Sequence, residues 1–442
     1  TTFALFFPER RPFFQEGSDL YQTWVRTVYT RSINNPIAAG KVTARYGRTS
    51  FGFMGGVDRD SPLILPFEEQ SEFVQAGQSV SNIFRAKRTF GSSSYVGALI
   101  TDRRLTDDNG AGSTFGVDSR VRLSNNYSVE MQFVGSHTRE PNSPTLSEGV
   151  GDFTFDGGSH TAALDGESFS GFASQLSFER NARHWSFDVD YSATSPTFRA
   201  DNGFITQNNL HRTMLWTGYT FYFDGIVERV MPQVVTGYWW NFDGVRKDQF
   251  LWIQGDIRLK AQTHVGLRWL VKSDERFAGQ DFRGLRRIGV NINSNFSDPV
   301  KLGGFVQYGR RIARNLETPE MGRSLDLDLW GTIKPISRMV IEPNFTFARL
   351  DEEDSGDEVY SGYILRTRLN FQFTRQLFVR LVTQYNDFSE RFEVDPLITY
   401  KINPFTAFYV GSTHDFDTFA DPYGIRQSER QIFFKFQYLV RV

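Results

Sequence analysis

Apolar and polar residues alternate along most of this chain, and the runs are longer than a soluble strand uses. From Arg183 the sequence reads RHWSFDVDYSA, so Trp185, Phe187, Val189 and Tyr191 share one face and His184, Ser186, Asp188 and Asp190 the other. The pattern returns with Leu251, Ile253, Ile257 and Leu259 against Gln254, Asp256, Arg258 and Lys260, and with Val265, Leu267, Trp269 and Val271 against His264, Arg268 and Lys272. Leu325, Leu327 and Leu329 alternate with Asp326 and Asp328. A period of two with charges between apolar neighbours predicts strands that have one greasy and one wet face.

Segments of roughly 10 to 14 residues recur about every 20, close to the 9 to 11 that a tilted strand needs to cross a bilayer. Strands of soluble sandwiches run nearer to about 5 or 6 residues. Counting from position 21 predicts about 22 strands, with 21–30, 150–164 and 393–402 carrying the alternation least clearly. Tight links at 402–404, 374–376, 334–337, 295–299, 224–226 and 181–183 fall between longer polar ones at 415–429, 351–357, 313–323, 195–211 and 139–167. Short turns on one side and long loops on the other are the asymmetry of outer-membrane barrels, whose periplasmic turns are short. No blade-length repeat argues for a propeller. The expected fold is all-β: a transmembrane antiparallel up-and-down β-barrel with both termini periplasmic. Phe434, Phe436, Tyr438, Val440 and Val442 alternate with Lys435, Gln437 and Arg441 up to the last residue. This resembles the C-terminal sorting signal of outer-membrane proteins, which usually closes on an aromatic residue; Val442 departs from that habit.

Composition narrows the classes further. Phe 43, Gly 38 and Tyr 17 in 442 residues favour pleated strands and tight turns, and the absence of cysteine excludes a disulfide scaffold or a thiolate metal site. With 49 basic and 51 acidic residues there is no global field to recruit nucleic acid, and no such partner is expected. No apolar run approaches the roughly 18 residues of a membrane helix. The chain opens on Thr1 without Met or a leader, which predicts a mature or trimmed sequence.

Residues 3–17 read FALFFPERRPFFQEG, and proline cannot donate to a ladder, so 1–20 is predicted as a non-spanning periplasmic or plug-like segment and 21–442 as the barrel. With YTRSI and PIAAGKVTARYGRTSFGFM after it, this segment resembles a family of outer-membrane proteins that couple an N-terminal carbohydrate-binding module of family-nine type to a C-terminal barrel of unknown function. In that family an FFPE(K/R)RPFF-EG motif precedes the first strands, followed by Y(T/S)R-I and a Gly-Lys-rich hairpin. The matching positions are 6–14, Glu16, Gly17, Tyr29, Thr30, Arg31, Ile33, Gly40 and Lys41, in the first tenth of the chain. No sugar-binding module lies within the 442 residues. The resemblance implies the barrel and an association with carbohydrate, and it leaves the activity open.

Glu9, Arg10 and Arg11 are candidates for a plug or gate, with the arginines pairing to lumen carboxylates; the alternative is a structural tether at the periplasmic rim. Arg258, Lys260, Arg268, Arg366, Arg368 and Arg380 are expected to line the lumen beside Asp256, Asp326, Asp328 and Glu342. Mixed charges of this kind suit a conduit for neutral, hydroxyl-rich or zwitterionic solutes, or else pair across strands and stiffen the wall. Trp24, Trp185, Trp239, Trp240, Trp252, Trp269 and Trp330 are mainly girdle residues, but Trp252 and Trp330 fall on the wet face and are candidates for stacking on sugar rings. The acidic run DEEDSGDE at 351–358 lacks the spacing of a calcium loop and is expected to be solvated. Six scattered histidines form neither HExxH nor any other catalytic signature, and Ser159, His160 and Asp165 are neighbours only in sequence. No enzymatic activity, metal or cofactor is therefore expected. The expected partners are outer-membrane lipid and lipopolysaccharide, with a periplasmic or surface protein as a further candidate. The leading expectation is a channel or transporter for a small polar, saccharide-related solute; the alternatives are a scaffold barrel that anchors a partner and an outer-membrane hydrolase.

Overall fold

The computed structural model describes residues 4–107, 109–150, 153–295, 297–403, 406–419 and 424–438. Twenty-two strands join in one antiparallel sheet, as the alternation predicts. Successive strands pair in register; Glu320–Ile336, for example, pairs with Val300–Ala313 before it and Met339–Glu352 after it. Leu210–Tyr219 and Phe221–Tyr222 both pair with Val227–Trp240, so Thr220 interrupts one run. The short links at 181–184, 223–226, 295–299, 337–338 and 373–376 stand at or beside predicted turns, whereas the turn at 260–262 is not predicted.

Three departures have physical causes. The predicted long link at 415–429 is mostly strand, Thr406–Phe419 followed by Gly424–Tyr438, because ladder hydrogen bonds need no apolar side chains and polar strand ends carry no period. Among its described residues, segment 150–164 supplies only two-residue bridges, Thr154–Phe155 with His160–Thr161. Segment 21–30 contains no strand, and the first strand, Pro36–Tyr46, starts well beyond position 20. Segment 393–402 lies inside the strand Arg391–Asn403. Pro404, Val440, Arg441 and Val442 lie outside the described residues.

The chain divides into two compact units, Thr1–Gly218 with Val235–Phe250 and Glu275–Asp281, and Tyr219–Val234 with Leu251–Asp274 and Phe282–Val442. In the first unit the strands turn their apolar side chains outward: Phe115 is 56% exposed and Phe133 52%, and Phe51, Phe53, Phe84 and Ile100 are also exposed. On the opposite face Arg85 and Arg103 are 0% exposed, among buried Thr101, Thr114, Asp118 and Gln132. This inverts the pattern of a soluble domain. Four stretches cover the polar face: residues 4–35, the hairpin Pro62–Pro66 with Ser71–Gln75, and the links 140–167 and 195–209.

In the second unit Ile253, Leu267, Trp269, Ile292, Val306, Leu329 and Leu365 are exposed on one face. Ladder partners share a face, so the register places Asp328 with Phe305 and Thr346, Glu342 with Arg368, Arg366 with Gln384, and Asn370 with Arg380 on the other. Among the described residues no helix is long and apolar enough to cross a membrane.

Candidate functional site

Residues 4–35 are held against the polar face of the first unit by side chains that the strand period points inward. Arg85 clasps Asp118 with both terminal nitrogens, Nη2 to Oδ2 at 2.8 Å, and its Nε donates to Leu20 O at 3.0 Å. Gly97 makes room for this joint, since a Cβ there would stand 2.6 Å from Arg85 Nη1. Trp24 Nε1 donates to Glu130 Oε2 at 2.5 Å, and Val25 N donates to Gln132 Oε1 at 2.8 Å. Arg103 donates to Ser81 Oγ, Pro62 O and Ser32 O. Phe14, Tyr21 and Ile33 of the segment bury against Met54, Ile83 and Leu99 of the wall.

The motif residues fold the segment on itself. Glu9 accepts hydrogen bonds from the Arg10 and Arg11 amides, from Arg11 Nε and Nη2 and from Thr30 Oγ1. Arg11 also donates to Thr30 O and Ile33 O and lies 4.2 Å from the Phe14 ring centroid. Lys41, on the first strand, donates to Phe13 O at 2.6 Å and Glu16 O at 2.5 Å. Burial pushes the Glu9 carboxyl up, but the Arg11 side chain and amide, the Thr30 hydroxyl and the Arg11 charge outweigh it and hold the pKa at about 2. The expected pairing of Arg10 and Arg11 with lumen carboxylates is therefore corrected. Arg11 is used within the segment by Glu9, because a bidentate partner two residues away needs little further ordering, and the Arg10 side chain is exposed.

Two further stretches fold inward. The hairpin between the second and third sheet strands packs Leu63, Leu65, Phe67 and Val74 against Leu105, Val150 and Leu164, and Lys247 pairs with Glu68 and Glu69 at its tip. In the link 195–209, Phe198 is fully buried with Val134 and Ala173, and Arg199 donates to Glu140 Oε1 at 3.0 Å and Asp201 Oδ1 at 2.7 Å. Glu140 Oε2 is buried without a partner. Burial pushes the Glu140 carboxyl up to about 7; Arg199 opposes this, while Glu167, Asp201 and Asp165 add to it. His160 Nδ1 lies 2.8 Å from Glu167 Oε2, so its carboxylate neighbour is Glu167 and not Asp165.

In the second unit most predicted lumen residues share one face, and the carboxylates on it have partners. Asp256 accepts from Arg229 at 2.9 Å and contacts His264; Arg311 pairs with Asp326 at 3.2 Å. Thr346 Oγ1 donates to Asp328 at 2.7 Å, and Arg368 Nε stands 3.4 Å from Glu342. Arg268 stacks over Phe305 at 5.9 Å. Arg258, Arg366 and Arg380 are exposed and form no ion pair among the described residues. Lys260 is not on the strand face; it lies in the turn just past Leu259, where its amide donates to Ile226 O. The Trp252 ring carries the Arg287 guanidinium at 5.7 Å, and Trp330 lies over Gly303. Sequence reasoning missed Arg85 and Asp118: a period of two is the signal that could have put them on the wet side, but nothing local identifies them as partners.

No family model and no curated protein matches the chain. Among solved structures it is similar to the ferric-catecholate import receptor Fiu from E. coli, at TM-score 0.49 and 8% identity over 90% of this chain and 79% of that one. A variant of the ferric enterobactin receptor PfeA from Pseudomonas aeruginosa, in complex with enterobactin, gives 0.48 and 9% over 88% and 73%. The siderophore receptor PirA from Acinetobacter baumannii gives 0.44 and 9% over 86% and 73%. The chain's own two faces decide the class, because dozens of apolar side chains exposed on one side of a sheet that buries Arg85 and Arg103 on the other are stable only against lipid. The chain is an outer-membrane β-barrel. In such a barrel the polar face is the lumen, and the segments described above occupy it in the first unit.

Proposed function

We propose that this barrel is a channel or transporter for small polar solutes, and that residues 4–35 act as its plug. The observation that carries the proposal is the set of wall side chains, Arg85, Arg103, Glu130 and Gln132, that hold the backbone and side chains of that segment in the lumen. The unpaired Arg258, Arg366 and Arg380 add a hydrated, cationic track along the lumen face of the second unit. The resemblance to the sugar-module family remains part of this proposal, and the residues of its motif are those that knot the plug. A saccharide as the solute rests on Trp252 and Trp330 alone. The receptors found by comparison handle ferric siderophores, which gives that choice no support. The outer face would pack against lipid and lipopolysaccharide.

Planar-bilayer recordings test the proposal. The full chain should conduct weakly, and deletion of residues 1–35 should raise the conductance. If both chains are silent while heat-modifiable migration shows both folded, the barrel is a scaffold for a periplasmic or surface partner and the transport proposal is wrong.

A further inference from the structure

Leu5, Phe7 and Phe73 are 58%, 54% and 55% exposed on the watery side of the first unit, where no lipid covers them. Leaving three such side chains together in water is costly unless something else covers them. They line one cavity of about 430 Å3, together with Tyr29, Phe204 and Arg31. That volume suits a solute of drug-like size or below.

The charge in the cavity selects the solute's sign. Arg31 lies 5.6 Å from the Phe7 ring centroid and has no carboxylate partner among the described residues. Asp201 also lines the cavity, but its carboxylate is held by Arg199 at 2.7 Å. Beneath, Arg103 is fully buried and donates only to neutral oxygens, two of them carbonyls of the cavity-lining residues Ser32 and Pro62. A free guanidinium, a second buried cation and a ring-rich wall complement an anion that carries an apolar body. We propose that this cavity binds a small organic carboxylate bearing an aromatic ring. The ring packs among Phe7, Phe73 and Phe204, the carboxylate accepts charge-assisted hydrogen bonds from Arg31, and Asn34 and Gln75 form the polar rim. A phosphate would carry more charge than one guanidinium offsets in so apolar a wall.

Calorimetric titration of the refolded full chain in detergent with 3-phenylpropionate and its neutral amide tests this. The carboxylate should bind saturably at one site, with the amide weaker by about tenfold or more. Arg31→Met should weaken the acid by a similar factor and leave the amide unchanged, and Phe73→Ala, at an exposed side chain, should weaken both. Arg10→Met, in the same segment but outside the cavity, should change nothing. Equal affinity for acid and amide, insensitivity to Arg31→Met in a chain that still shows heat-modifiable migration, or no saturable binding would each overturn the assignment. The readout is binding, so a chain that is silent in bilayers yet discriminates acid from amide would refute transport and keep this site.

Discussion

Replacing Asp118 with alanine tests whether the plug is held by buried charge. Arg85 is fully buried, and its side chain and that of Asp118 are 0% and 4% exposed. Without Asp118 the guanidinium keeps one bond, to Leu20 O, and remains a desolvated cation inside the wall. Removing one partner of such a pair costs about 3–5 kcal/mol, whereas replacing both by apolar residues of similar volume is often near neutral. Asp118→Ala should therefore destabilise by that amount, while Arg85→Met with Asp118→Leu should lose only about 1 kcal/mol for the bond to Leu20 O. Urea titrations of chains refolded into vesicles supply both numbers, and the rate of proteolysis within residues 4–35 reports the plug separately. If Asp118→Ala costs under about 1 kcal/mol, or if the double replacement is as damaging as the single one, the joint does not work as argued.

On the lipid face, Leu327→Arg should cost about 2–4 kcal/mol near the midplane, while Asp328→Asn, which can still accept from Thr346, should barely matter; equal tolerance in a refolding titration would contradict the face assignment. A Cβ on Gly171 would stand 2.6 Å from Phe198 Cα, so Gly171→Ala must push the link 195–209 off the wall, at about 1–3 kcal/mol in the same titration; no loss would mean the approach is looser than described. Glu140, raised from 4.5 to about 7, binds its proton more tightly when folded, so its contribution is complete below pH 4.5 and declines as pH rises towards 7. Glu140→Gln should flatten that slope in stability measured against pH. Glu9, held at about 2, behaves oppositely: its contribution is complete above 4.5 and is lost as pH falls towards 2, so cleavage of the plug by acid-stable pepsin should start slower in the native chain than in Glu9→Gln and approach the variant's rate as pH falls towards 2.

The strand alternation was legible because it is local. Each residue faces lipid or water according to its parity, so Leu325, Leu327 and Leu329 mark one face and Asp326 and Asp328 the other without knowledge of the neighbouring strand. The turns at 295–299 and 373–376 were legible for the same reason. Strand ends at 415–429 were not, since polar residues pair in a ladder as well as apolar ones. Likewise Lys260 continued the alternation in sequence although its backbone had already left the strand for the turn.

The amino-acid sequence by itself determined that this is a two-faced sheet for a bilayer, with a proline-broken segment ahead of it. Only the tertiary structure decided that the segment runs to residue 35 along the polar face, that Arg11 pairs with Glu9 and Arg85 with Asp118, and that the hairpin at 62–75 folds inward onto Leu105 and Leu164. Parity says which way a charge points; its partner depends on which distant backbone arrives opposite it, and that is a property of chain closure over many residues.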